Sequence, residues 1–176
     1  MKIGRVHLPF LNSPAEARAM YAGGRANNVA RRYARFWVAV LGRGLLPGPG
    51  VVLEVPGRQS GVPRTFPLVE ARLDHRRYLV SMLGEDCNWV RNVRAADGAV
   101  KLRHGHSEAV QLVEVPVRER APVLKRYLKR APGARPHIPV DHRAELSAFE
   151  TIADRYPVFR ITAARSPAEP GSSLKL

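Results

Sequence analysis

The run Pro47-Gly48-Pro49-Gly50 divides the sequence into two unlike parts. Proline fixes φ and lacks a backbone N–H, and glycine weakens regular structure, so neither a helix nor a strand continues through this run. Before it, apolar residues recur with the period of a helix; after it, short apolar runs alternate with turn residues, as in strands. The sequence therefore predicts a helix joined to a strand-rich domain.

The segment before the breaker predicts an amphipathic helix that begins at Asn28 and ends at Gly42 to Gly44. At 100° per residue, its apolar side chains share an arc of about 140°, while three arginines, Arg31, Arg32 and Arg35, point away from it. Such an arc packs either on the rest of the protein or a partner subunit, or on an anionic membrane. Its members are Val29, Ala30, Tyr33, Phe36, Trp37, Val40 and Leu41.

The segment after the breaker predicts six short strands and three inserted helices. Such a pattern favours a small closed or split β-barrel of the α+β or mainly β class over a doubly wound sheet. The strands are 51–55, 65–73, 77–83, 100–103, 108–115 and 157–162, and the helices are 88–96, capped by Asp86, 117–130 with Val117 facing inward, and 144–155. We divide the chain into a flexible arm (1–26), the helix and breaker (27–48), the barrel (49–165) and a polar tail (166–176).

The chain is strongly basic, with 29 Lys and Arg against 15 Asp and Glu and a formal charge of +14. Residues 1 to 50 hold eight of these cations and one acid. Such a charge permits binding to an anionic surface or nucleic acid, but no nucleic-acid-binding signature accompanies it. The single cysteine, Cys87, excludes an intrachain disulfide, and no apolar run predicts a signal peptide or a spanning helix. We expect a cytoplasmic protein, with peripheral attachment to the inner membrane face as an option.

The loop from Arg58 to Arg64 carries the clearest chemical signal. Two arginines, a serine hydroxyl and free glycine amides can surround a phosphate or carboxylate; the alternative is an exposed turn with solvated side chains. The segment His104-Gly105-His106 holds two histidines, but the sequence has neither the cysteine pairs nor the HExxH motif of a metal site. We therefore predict no metal site. Cys87 follows two acids and is expected to be unreactive.

The order of these segments resembles the deazaflavin-dependent nitroreductases and their relatives in the flavin/deazaflavin oxidoreductase superfamily. The resemblance rests on the apolar strand 51–55, the segment from Gly57 to Leu68, the strand ending in Ser81 near Gly84, and Trp89-Val90-Arg91-Asn92. It implies a split β-barrel of the FMN-binding type that binds coenzyme F420, with FMN as the alternative cofactor. The family commonly has lysine where this chain has Gln59.

The resemblance also implies a function and a site. Hydride would pass from reduced F420 to a quinone, a nitro-aromatic or another activated double bond, with no catalytic side chain, because the cofactor supplies the chemistry. The glycine–arginine loop would hold the phosphate and the start of the oligoglutamate tail, and a homodimer is expected. The implied cofactor-binding residues are Arg58, Gln59, Ser60, Gly61, Arg64, Pro67, Leu68, Val69, Ser81, Met82, Leu83, Gly84, Trp89 and Asn92.

Overall fold

A computed structural model describes residues 28–164, apart from the side chains of Val29 and Ala30. The predicted arm over 1–26 and the polar tail over 166–176 lie outside these residues. Within 28–164, no helix is long and apolar enough to cross a membrane.

Six antiparallel strands form a closed barrel in the order β1-β2-β3-β6-β5-β4, and β4 pairs with β1 to complete it. The α+β barrel expected from the sequence is confirmed. The strands are β1 (Gly50–Pro56), β2 (Pro63–Leu73), β3 (Arg76–Val80), β4 (Ala99–His104), β5 (His106–Glu114) and β6 (Val158–Ala163).

In the described part of the chain, four α-helices accompany the barrel: α1 (Asn28–Gly42), α2 (Asn88–Ala95), α3 (Val117–Arg130) and α4 (Leu146–Glu150). Two 3₁₀ helices follow α3 and α4, at Pro132–His137 and Ala153–Arg155. α3 packs against β2 and α4, and α1 lies against β1, β2 and β4.

The core has two clusters. Inside the barrel, Leu53, Leu79 and Leu102 pack with Trp89 and Val93 of α2, so this helix covers one end of the barrel interior. Outside the barrel, residues of β2 and β3 pack beneath α3 and α4, with Leu124, Leu128 and Phe149 completely buried. Complete burial of a leucine or phenylalanine side chain contributes roughly 1.5 to 3 kcal/mol, so both clusters stabilise the fold.

Helix α1 is attached to the barrel at its C-terminal end. Leu41 is buried against Gly50, where a Cβ would lie 2.6 Å from the leucine Cδ2. Beyond the helix, Gly44 has a positive φ, and a Cβ there would lie 2.9 Å from the Cα of Gly105 in the β4–β5 turn. Only a residue without a side chain allows these two backbones to meet so closely.

Two apolar positions expected to face inward are exposed. Phe36 is 59% exposed and Val117 is 45% exposed. The partly buried face of α1 includes Ala34 and Val38, which were not in the predicted arc, and excludes Phe36. Val117 lies in the first turn of α3, before the stretch that packs against the barrel.

Four local predictions, one of a helix cap and three of element boundaries, were also wrong. Asp86 pairs with Arg91 and does not cap α2, whose N-cap is Cys87. β3 ends at Val80 because a turn follows, closed by the Ser81 hydroxyl, which donates to the Gly84 carbonyl at 2.8 Å. The predicted helix 144–155 is divided into α4 and a 3₁₀ helix at the β-branched pair Thr151-Ile152, which disfavours a continuous helix. The turn predicted over His104 to Ser107 shrinks to Gly105, because His104 pairs with His106.

Candidate functional site

A cavity of about 1310 Å³ lies between α1, β2 and the C-terminal end of α3. Its floor is the first part of β2, from Pro63 to Val69, which directly follows the loop between β1 and β2. Tyr33 and Trp37 of α1 line one side, and Tyr127 with Arg130 to Ala134 line another. The floor is apolar because Phe66, Pro67, Leu68 and Val69 are only half-buried and leave part of their surface facing the cavity.

Among residues 28–164, the cavity lining contains five arginines and no carboxylate. Three arginines belong to α1, one begins β2 and one ends α3; they are Arg31, Arg32, Arg35, Arg64 and Arg130. Within residues 28–164, no carboxylate pairs with Arg32, Arg35, Arg64 or Arg130. The arginines that do form ion pairs there lie outside the cavity lining, at positions 72, 77, 91, 94, 118 and 120. The cavity is therefore an electropositive site suited to an anion.

The loop between β1 and β2 holds its own shape. The Gly57 amide donates to the Val62 carbonyl at 2.9 Å, and the Gly61 amide donates to the Gly57 carbonyl at 2.7 Å. The Ser60 hydroxyl accepts a long bond from the Val62 amide at 3.4 Å. These bonds leave the loop a short, closed turn beside α2.

Arg58 fastens this loop to α2. Its Nη1 donates to Asn92 Oδ1 at 3.0 Å and to Asn88 Oδ1 at 3.3 Å, and its backbone amide lies 3.4 Å from Asn92 Oδ1. Asn92 is only 4% exposed, so its carbonyl oxygen is committed to the loop. The structure therefore brings the loop and the Trp89–Asn92 face of α2 together, as the sequence suggested.

The fourteen residues expected at the site divide into two groups. Seven line the cavity: Arg64, Pro67, Leu68, Val69, Met82, Leu83 and Trp89. The other seven lie outside its lining, in the loop, in the turn after β3 or beneath the site: Arg58, Gln59, Ser60, Gly61, Ser81, Gly84 and Asn92. Ser81 is 1% exposed, and its hydroxyl donates a hydrogen bond to the Gly84 carbonyl. It therefore stabilises the turn that contains Met82 and Leu83.

Trp89 has two roles. It is 3% exposed and packs against Phe159 inside the barrel with ring centroids 5.5 Å apart, so it is a core residue. It also contributes to the cavity lining. The barrel core thus supports the cavity directly.

Several lining residues carried no sequence signal. The α1 arginines were expected to point away, and Tyr127, Arg130 and Ala134 belong to a helix end without any motif. His137 also lines the cavity, and its carbonyl accepts a hydrogen bond from the Tyr156 hydroxyl at 3.1 Å. Periodicity places residues on a helix face, but only tertiary packing shows that this face borders a cavity.

Cys87 lines the cavity as well. Burial raises the pKa of its thiol above the ordinary value, and hydrogen bonds from the backbone and from Ser81 oppose that effect. The thiol is therefore protonated at neutral pH. Low reactivity was expected from the neighbouring acids, whereas the pKa of the Cys87 thiol is raised by burial.

Solved structures with similar folds have low sequence identity to this chain. An F420-H2 dependent reductase, FDR-A, is 22% identical with a TM-score of 0.46, covering 64% of this chain and 93% of that chain. A putative 5-nitroimidazole antibiotic resistance protein from Bacteroides thetaiotaomicron VPI-5482 is 9% identical with a TM-score of 0.48, covering 72% of this chain and 80% of that chain. A structure described as a domain-swapped dimer is 20% identical with a TM-score of 0.47, covering 76% and 96%.

No curated protein matches the sequence. A family model, in contrast, matches residues 26–140, from α1 to the end of the cavity lining, and is described as F420H(2)-dependent quinone reductase. The match spans well over half of the sequence and supports both the oxidoreductase class and the deazaflavin cofactor expected from the sequence. The chain therefore belongs to the F420H(2)-dependent quinone reductase family, and coenzyme F420 is its cofactor.

Proposed function

We propose that this protein reduces a quinone with hydride from reduced F420 bound in the cavity over β2. The observation that carries the proposal is the cavity itself, which has an apolar floor and an arginine-rich, acid-free rim. The overall reaction balances as F420H2 plus quinone giving F420 plus hydroquinone. Nitro-aromatics and other activated double bonds are the alternative acceptors.

The residues present fit the cofactor. A deazaflavin ring needs an apolar slot, and Pro67, Leu68 and Val69 with Trp89 supply one. A phosphodiester and several carboxylates need cations, and Arg64, at the start of the floor strand, supplies one. When bound, F420H2 supplies the hydride, and the protein positions the ring and keeps water away from it.

The size of the cavity supports simultaneous binding of cofactor and acceptor. Sites for one small molecule usually measure roughly 300 to 1,000 Å³, and this cavity measures about 1310 Å³. The additional space lies under Tyr33 and Trp37 and beside Tyr127 and His137, where aromatic rings can stack on a planar acceptor. A quinone fits this environment because it is planar and uncharged.

The proposal is tested by mixing the purified protein with F420H2 and a water-soluble naphthoquinone, and following the absorbance of the deazaflavin as it is oxidised. We expect oxidation that depends on the quinone and exceeds that with a nitro-aromatic. Leu68→Arg, which places a charge on the cavity floor, abolishes it, whereas Arg76→Ala, at an exposed position outside the cavity, leaves it unchanged. Cofactor binding without quinone-dependent oxidation would refute the proposed acceptor.

We also propose that α1 places the protein at an anionic membrane, where lipophilic quinones are found. The support is a pair of exposed apolar side chains, Phe36 and Leu45, near the exposed basic residue Arg43, all three outside the cavity lining. Exposed apolar side chains flanked by cations bind the interface of anionic bilayers.

Co-sedimentation with vesicles rich in anionic lipid tests this placement. We expect weak binding that decreases with salt and is lost in the variant Phe36→Ser with Leu45→Ser. The matched control is Val113→Ser with Val117→Ser, which removes two exposed apolar side chains elsewhere. An equal loss of vesicle binding in both variants would contradict this placement. Absence of binding by the wild type would contradict it as well.

The homodimer stays a prediction. Pairing of β4 with β1 closes the barrel within one chain, so the sheet needs no second copy to complete it. Light scattering on the purified protein measures the oligomeric state.

A further inference from the structure

We infer that α1 forms part of the cofactor site, holding the anionic chain of F420 through Arg32 and Arg35, and that this contact fixes the helix over the cavity. The inference rests on the cofactor placement proposed above. It concerns a segment expected from its sequence to turn its arginines away from the protein.

The first argument is the distribution of charge. Arg32 and Arg35 of α1 line the same cavity as Arg64, which begins the floor strand, so cations face the cavity from two separate elements. None of the three has a carboxylate partner within residues 28–164. An uncharged acceptor cannot satisfy them, whereas a phosphodiester followed by carboxylates can contact several in turn.

The second argument is where the acids are. The described part of the chain contains many carboxylates, and those paired with arginines lie in two groups, Glu70 with Glu108 and Glu85 with Glu114, plus the exposed pairs at Asp86 and Glu119. None of them lines the cavity. The cavity cations are therefore left for a ligand.

The third argument is the uneven attachment of α1. Its C-terminal end is held by buried Leu41 and by the close contact between Gly44 and Gly105. Near its N-terminal end, Asn28, Arg31 and Arg32 are exposed. An anionic chain lying between the N-terminal end of α1 and β2 would attach this end of the helix to the barrel. Binding of the tail and ordering of the helix would therefore be coupled.

The test compares two ligands. F420 carries the phosphate and the glutamate tail, whereas the deazaflavin riboside carries the same ring without them. The variant is Arg32→Ala with Arg35→Ala. The matched control, Arg43→Ala with Arg76→Ala, removes two exposed arginines outside the cavity, one of them directly after the end of α1. Binding is measured by deazaflavin fluorescence at low and high salt.

We expect the Arg32/Arg35 variant to bind F420 about tenfold or more weakly at low salt, with a smaller difference at high salt because exposed charges are screened. Its affinity for the riboside stays within about twofold, and the control binds both ligands as the wild type does. Hydrogen exchange of the α1 amides slows when F420 binds, but not when the riboside binds.

An equal loss of affinity for both ligands in the Arg32/Arg35 variant would overturn the inference, because the arginines would then contact the ring and not the tail. An equal loss in the control would do so too, as a general effect of charge. Unchanged F420 affinity with lost binding to anionic vesicles would assign the arginines to lipid instead. Wild-type binding of F420 without quinone reduction would refute only the proposed acceptor and leave this inference standing.

Discussion

At the scale of single residues, Asn92 is the most informative polar group near the site. Its buried Oδ1 accepts hydrogen bonds from the guanidinium and lies near the backbone amide of Arg58, at 3.0 and 3.4 Å. Removing one partner of a buried hydrogen bond costs about 1 to 3 kcal/mol, because the other partner is left unsatisfied. Arg58 therefore acts on the site by fixing the loop.

We predict that Asn92→Ala lowers the free energy of unfolding by about 1 to 3 kcal/mol. Asn88→Ala removes only an exposed bond of 3.3 Å to the same guanidinium and is expected to change it by less than about 0.5 kcal/mol. Urea unfolding of the two variants measures the difference. Equal effects of the two substitutions would show that the buried bond does not fix the loop.

At the scale of elements, Arg120 joins three segments at the beginning of α3. It is 5% exposed, and its guanidinium donates to the carbonyls of Val115, Ala153 and Tyr156 at 2.8, 3.3 and 3.4 Å. It also pairs with Glu114 at 3.0 Å. One side chain thus connects the end of β5, α3 and the 3₁₀ helix before β6.

We predict that Arg120→Met destabilises the protein by about 2 to 5 kcal/mol, since it leaves buried carbonyls without a donor and removes one of the two arginines paired with Glu114. The control is Arg118→Met, whose side chain is 83% exposed and pairs only with its neighbour Glu119 at 3.4 Å. That variant should stay within about 0.5 kcal/mol of the wild type. A thermal unfolding midpoint for Arg120→Met equal to that of the control would contradict this role.

The sequence predicts the strands well because their determinants are local. Alternating apolar residues mark β2, and Asp74-His75 forms the β2–β3 turn with two positive φ angles, which Asp and His tolerate in a two-residue hairpin. The cavity is different, since its walls come from α1, β2 and the end of α3, which lie far apart in sequence. Half of the expected site residues line it, whereas Arg130 and the α1 arginines became visible only through packing.

At the scale of the whole molecule, ion pairs connect strands around the barrel. Arg77 of β3 donates to Glu108 of β5 at 2.5 Å and to the buried Glu70 of β2 at 2.9 Å. The hydrogen bond from Arg77 lowers the pKa of Glu108 below its ordinary value of 4.5. The ionised carboxylate therefore stabilises the fold above that value, and the stabilisation is lost as the pH falls through the lower pKa of the folded state.

We predict that Glu108→Gln is less stable than the wild type at neutral pH, and that the difference disappears well below the ordinary pKa of 4.5. The control is Glu119→Gln, at an exposed site with a single weak pair, which should stay within about 0.5 kcal/mol of the wild type. Urea unfolding across the acid range measures both variants. A difference that persisted unchanged in acid would mean that packing, and not charge, explains the effect.

The positions of the two tryptophans make the protein its own optical reporter. The chain has only two, and Trp37 on α1 and Trp89 on α2 both line the cavity. A deazaflavin bound between them would receive excitation energy from both indoles, so ultraviolet emission would fall in proportion to occupancy without any added label. In Trp37→Phe the remaining emission would come from a ring fixed in the barrel core, and its difference from the wild type would report the distance of α1 from the chromophore.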